Sequence, residues 1–171
     1  MENESPSYAA FLSQAGITFA AFLSGIIFHL INEKLIVLAF GAAYGTSKSG
    51  ISLCSISASK PDAILKSLAP VIMASILSIY GLVISIWIVL LLSPTEPLSL
   101  FAGGLHFAAG LSVGLACLAS GLAIGKIGEV AVRGFAKEPR FFFGLILLLI
   151  FAEVLGIYGF IGAVLLVNKT S

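Results

Sequence analysis

Charge is what this sequence has least of. Of its 171 residues nine are basic and eight acidic, 10% of the chain, and the net charge is +1. So even a balance gives no reason to expect nucleic acid or an acidic macromolecule as partner. Cysteine is nearly as scarce: Cys54 and Cys117 stand in different segments at no metal-ligand spacing, so they read as two buried thiols, with no disulfide and no zinc. Long polar stretches are missing too. The connections at 46–66, 93–97 and 126–140 are short, and an aqueous catalytic domain of roughly 100 residues has nowhere to sit. The opening Met1-Glu-Asn-Glu-Ser-Pro is acidic where a secretory signal is basic, so the first apolar run is expected to stay in the mature protein.

What is present is hydrocarbon. The chain is 59% hydrophobic with a mean hydropathy of +1.13, far above an ordinary soluble domain. Uncharged stretches of 28, 29 and 29 residues separate Glu4 from Glu33, Lys66 from Glu96 and Glu96 from Lys126. A fourth, Phe141 to Asn168, is interrupted only by Glu153. Each can cross a bilayer, which takes about 20 apolar residues. Seven of the nine bases fall in two segments, Lys48, Lys60 and Lys66, then Lys126, Arg133, Lys137 and Arg140. The positive-inside rule makes both cytoplasmic, giving two helical hairpins side by side, 1–92 and 98–168.

The hairpins resemble each other. With Lys60-Pro61-Asp62 set on Glu138-Pro139-Arg140, Ile79-Tyr80-Gly81 falls on Ile157-Tyr158-Gly159, and Gly41-Ala-Ala-Tyr-Gly45 matches Gly121-Leu-Ala-Ile-Gly125. Ser75 then stands where the second repeat has Glu153. Parallel repeats suit the staves of a ring better than the rocking halves of an inverted-repeat transporter.

Glu153 is the main functional candidate. It lies near mid-span, where a charge costs about 2.5–3.5 kcal/mol on insertion scales. Leu149, Ile150, Gly156, Ile157 and Phe160, its same-face neighbours, offer no compensating charge. An apolar setting favours the neutral acid, and an acid that ionises only on meeting water or a cation is what a proton carrier needs. The competing reading, a structural polar residue, does not explain why the other repeat has a serine. Gly110, Gly114, Gly121 and Gly125, at four-residue spacings, allow close helix approach and mark the third span as part of a tight inner layer. The Leu- and Ile-rich fourth span belongs to an outer one.

The segments Gly41-AAYGTSKSG-Ile51, Pro70-VIMASILSIYGLV-Ile84, Gly110-LSVGLACLASGLAIG-Lys126 and Ile150-FAEVLGIYGFIGAVL-Leu166 resemble the proteolipid c-subunit of vacuolar-type proton-translocating ATPases, or its close paralogue c-prime. The resemblance implies an all-α membrane protein of tandem transmembrane hairpins, a four-helix proteolipid assembling with other proteolipids into a ring. It assigns the transported proton to Glu153. It also implies rotation past the stator a-subunit, coupling through central-stalk subunits on the cytoplasmic side, surrounding membrane lipid, and residence in a vacuolar or other acidic endomembrane. The chain is then a non-catalytic subunit of a translocase, without a cofactor or bound metal. Tyr80 and Tyr158 are both candidates to hydrogen-bond the carboxyl, with Ser75 a further supporting position. Sodium-carrying relatives place oxygens where this chain has Ile76, Leu77 and Ile124, so protons are favoured.

The sequence departs from that pattern near 25–40, where about sixteen residues are inserted. A bulge at one membrane face or an extended inner helix keeps four spans, the favoured expectation; separate crossings on either side would make five. Smaller expectations concern a kink at Pro70, His29 and His106 as helix-end histidines, and an unused glycosylation acceptor at Asn168-Lys169-Thr170. Gly125-Lys126 lacks the first glycine and the Ser or Thr of a phosphate loop, so no nucleotide is bound. A small proton-coupled antiporter and a structural membrane-assembly protein are the competing functions.

Overall fold

The computed structural model describes residues 7–24, 40–57, 59–92 and 98–170. The described elements are all helical: α1 Ser7–Ser24, α2 Phe40–Ser57, α3 Ile64–Ser67, α4 Ala69–Leu91, α5 Leu100–Lys137 and α6 Phe142–Val167. Two 3₁₀ turns, Pro61–Ala63 and Pro139–Phe141, precede α3 and α6. Both start on a proline whose fixed φ suits the first position of a helix and whose missing N–H is not needed there. Three segments among the described residues, Pro61–Leu91, Leu100–Lys137 and Pro139–Val167, are long and apolar enough to cross a membrane.

The α5 helix is the axis of the bundle. It packs on α1, α2, α4 and α6, while α4 also touches α1, α2 and α6. Its 38 residues make it about 57 Å long, beyond the roughly 40–45 Å of a bilayer with its headgroups. The excess carries Lys126, Glu129, Arg133 and Lys137. Ser99 starts it as an N-cap, accepting from the Ala102 amide at 3.1 Å. The segments read as polar connections at 46–66 and 126–140 are therefore largely helix, and the true connections are shorter.

Glycines set how closely the helices approach. A methyl at Gly110 would fall on the backbone of Gly16, and one at Gly121 on the backbone of Gly41. Gly125 faces the Tyr44 ring and Gly103 the backbone of Ala9. Gly114 is buried on the same helix. Gly110, Gly121 and Gly125 make the close helix approach expected of them within the chain, between α5 and α1 or α2.

These contacts place α1 and α2 end to end along α5, both parallel to it. Gly16 and Gly41 are 25 residues apart while their partners Gly110 and Gly121 are 11 apart, so 14 residues are surplus to the register. Extending each register puts Ser24 level with Leu118 and Phe40 level with Ser120. The two helices thus share one place in the bundle rather than taking two, with Ser24 and Phe40 both level with the middle of α5. The path of residues 25–39, with His29 and Asn32-Glu33-Lys34, lies outside the described residues.

The irregularity expected at Pro70 falls in the turn that precedes it. Pro70 sits in the first turn of α4, and the irregularity falls at Leu68, between α3 and α4. Helical bonds continue across it, from the Leu68 amide to Ile64 and from the Ile72 amide to Leu68, while Pro70 has no N–H to give to the preceding turn.

The two ends differ in chemistry. At the end carrying both 3₁₀ turns, Lys48 lies 3.8 Å from Glu129, the Lys60 ammonium donates to the Ala136 carbonyl, and Lys66 sits 5.8 Å from the Phe142 ring centroid. The opposite end holds His106, Ser13 and Thr170.

Candidate functional site

Glu153 is the twelfth residue of α6 and Tyr80 the twelfth of α4, so both stand near the middle of their helices. The Tyr80 hydroxyl donates to Glu153 Oε1 at 3.2 Å. Both side chains are half-buried. The phenol is held by Phe160, one heptad beyond Glu153, whose ring centroid lies 5.4 Å away at a 34° tilt. No basic residue lies on α4 between Ala69 and Leu91 or on α6 between Phe142 and Val167, so neither helix brings a cation to the carboxyl.

The backbone beside Glu153 is fixed from the other side. Ser120 Oγ on α5 donates to the Ala152 carbonyl at 2.7 Å and is fully buried. One turn on, Gly156 makes room for Leu77, whose Cδ2 a methyl there would approach to 2.7 Å. The carboxyl-bearing helix is therefore pinned to α5 by a hydrogen bond and to α4 by packing, at one level. Leu77, beside Gly156, and Ile124, one turn beyond Ser120 on α5, are fully buried hydrocarbon.

Of the two tyrosines, Tyr80 makes the contact. Tyr158 is 66% exposed and turned outward. Ser75, the counterpart of Glu153 in the first repeat, is exposed and its hydroxyl returns to the Val71 carbonyl of its own helix at 2.8 Å. Ser120 does not stand out in the sequence, and Phe160 stands there as an apolar same-face neighbour of Glu153, not as a partner of Tyr80.

Two described cavities, about 470 and 350 Å³, lie at the basic end, lined by residues such as Ile127, Phe141 and Leu148 or Arg133 and Lys137. Neither includes Glu153. Among the described residues, no group of three or more His, Cys, Asp or Glu side chains could hold a metal ion.

The sequence matches the ATP synthase C-subunit family over residues 34–88 and again over 107–166. The chain belongs to that family. Its relatives within it include the V-type proton ATPase c' subunit of Saccharomyces cerevisiae, 48% identical over 166 residues, 97% of this chain and 93% of that protein. The 16 kDa proteolipid c-subunit of the V-type proton ATPase of Homo sapiens is 46% identical over 164 residues, 96% of each chain. The V-type proton ATPase c-subunit of Candida tropicalis is 44% identical over 171 residues, all of this chain and 97% of that one. As a member of the ATP synthase C-subunit family with three helices of spanning length, the chain is an integral membrane protein.

Proposed function

We propose that this chain is a proton-carrying rotor subunit of the membrane sector of a V-type proton ATPase, with Glu153 as the carrier. The observation that carries the reading is the Tyr80 to Glu153 hydrogen bond at mid-helix, with no cation supplied by either helix. The acid travels protonated past lipid, releases its proton where a stator arginine meets it, and is reprotonated from the opposite half-channel. The Tyr80 hydroxyl serves both states, since a carboxyl oxygen accepts a hydrogen bond whether or not the group is ionised. Leu77 and Ile124 leave a sodium ion without the oxygens it needs.

The two hairpins, 1–92 and 98–168, act as adjacent staves of a ring made with other proteolipid subunits. The stator a-subunit and the central stalk are the remaining partners. The loops carrying the two proline turns face the cytoplasm, where the stalk engages the ring of a vacuolar or other acidic endomembrane. ATP is hydrolysed elsewhere in the complex, and this chain contributes no catalytic group.

A lipid-soluble carbodiimide tests the assignment in the assembled complex, because it adds to a protonated carboxyl in an apolar setting. The adduct is expected on Glu153, with loss of ATP-driven acidification in step with labelling. Full labelling of Glu153 with undiminished pumping would overturn it.

A further inference from the structure

The buried titratable group that this mechanism leaves unused is His106. It is the seventh residue of α5, is 1% exposed, and has both ring nitrogens engaged rather than idling at a helix end. Nδ1 lies 2.6 Å from Ser13 Oγ on α1, and Nε2 lies 3.1 Å from Thr170 Oγ1 in the turn that follows α6. The Thr170 hydroxyl gives its single hydrogen to the Val167 carbonyl at 2.6 Å, so toward the imidazole it can only accept. In the neutral ring Nε2 therefore carries the hydrogen, and Ser13 donates to Nδ1. One imidazole joins three helices through a chain of bonds in which every hydrogen has a place.

A second proton undoes that arrangement. It must sit on Nδ1, which turns Ser13 from donor to acceptor and leaves a cation inside the bundle. The helices around it offer little to balance the charge. From Ser7 to Ser24, α1 carries no charged residue; neither does α4 from Ala69 to Leu91, nor α5 from Leu100 to Gly125. On α6 and its following turn the charged groups are the exposed Lys169, a like charge, and Glu153, about 25 Å away along the helix. The backbone has no slack either, because Gly16 already lies against the His106 carbonyl.

We infer that His106 is a proton-sensitive fastening for the carboxyl-bearing helix: neutral, it ties the far end of α6 to α1 and α5, and a proton from the acidified compartment makes it a buried cation without a counter-charge, whose hydration requires this joint, the Thr170 contact included, to open. The inference rests on the proposed function, which supplies the acidified side and places this end of the bundle toward it. Loosening α6 slows the passage of Glu153 once the compartment is acid, so the pump is throttled by its own product.

The test uses the assembled complex in vesicles whose lumen is preset to a chosen pH. His106→Gln keeps one donor and one acceptor but cannot take up the proton. Initial ATP-driven proton uptake is expected to match the unaltered complex at a lumenal pH of about 7.5, above the ordinary histidine range. With the lumen at about pH 5, the unaltered complex should be slower than His106→Gln by about threefold or more. Superimposable pH profiles would overturn the inference. If the variant does not assemble, amide exchange in the unaltered complex decides: the turn from Val167 to Thr170 should lose protection at lumenal pH 5 relative to mid-α5, and unchanged protection overturns the inference. A Glu153→Gln complex run alongside separates the two claims. Pumping by that complex refutes the proposed function; a dead Glu153→Gln with unaltered His106→Gln behaviour refutes the fastening alone.

Discussion

Tyr80 Oη and Glu153 Oε1, 3.2 Å apart, join α4 to α6 at the midpoint of both helices. The pairing crosses the two repeats: the first hairpin supplies the hydroxyl and the second the acid. Phe160 stacks on the phenol and so fixes where that hydroxyl points.

Tyr80→Phe keeps the stack on Phe160 and removes the donor. A hydrogen bond to a group that ionises is worth about 1.5–3 kcal/mol, so proton transport in the reconstituted complex should slow by about tenfold while the ring still assembles. Tyr158→Phe, at the matched but outward position, should leave transport unchanged. Equal effects of the two substitutions would show that the contact does not matter.

The glycine contacts predict a graded response to added methyls. Gly121→Ala drives a methyl onto the Gly41 backbone and should destabilise the subunit by about 1–3 kcal/mol, seen as a lowered Tm or failed assembly. Gly104→Ala, with nothing within 4 Å, should be tolerated. A Tm for Gly121→Ala equal to that of the parent would contradict the packing of α2 on α5.

Removing residues 26–39, 14 in number, should let α1 run into α2 as one helix in register with α5. Assembly and pumping are expected to survive that deletion. A deletion of 12 residues, 28–39, leaves Gly41 rotated by about 200° and should fail to assemble. Survival of both, or loss with the 14-residue deletion alone, would refute the shared-place description of α1 and α2.

The Lys48 to Glu129 pair at the basic end should contribute little. At 3.8 Å with both side chains partly in solvent, Glu129→Gln is expected to change stability by less than about 1 kcal/mol and pumping not at all, as measured by Tm and acidification rate.

How much of this is legible in the sequence follows from the range of the contacts. Glu153 stands out because a lone carboxyl in an apolar run is costly wherever the helix packs, so no partner need be known. The choice between Tyr80 and Tyr158 is not legible. They occupy matched positions in the two repeats, and only the seating of α4 against α6 turns one inward and the other out. His106 reads as a helix-end residue because its partners Ser13 and Thr170 are 93 and 64 residues away. The glycines mark sites of close approach, but nothing in their spacing tells an intrachain partner from another copy.

Glu153→Gln in the purified, reconstituted complex tests the central claim most directly. The amide has the shape of the acid and cannot release a proton. With the subunit verified in the assembled complex, ATP-driven acidification of the vesicle lumen should fall to the level of protein-free vesicles. Acidification within about twofold of the unaltered complex would contradict the assignment of the proton to Glu153.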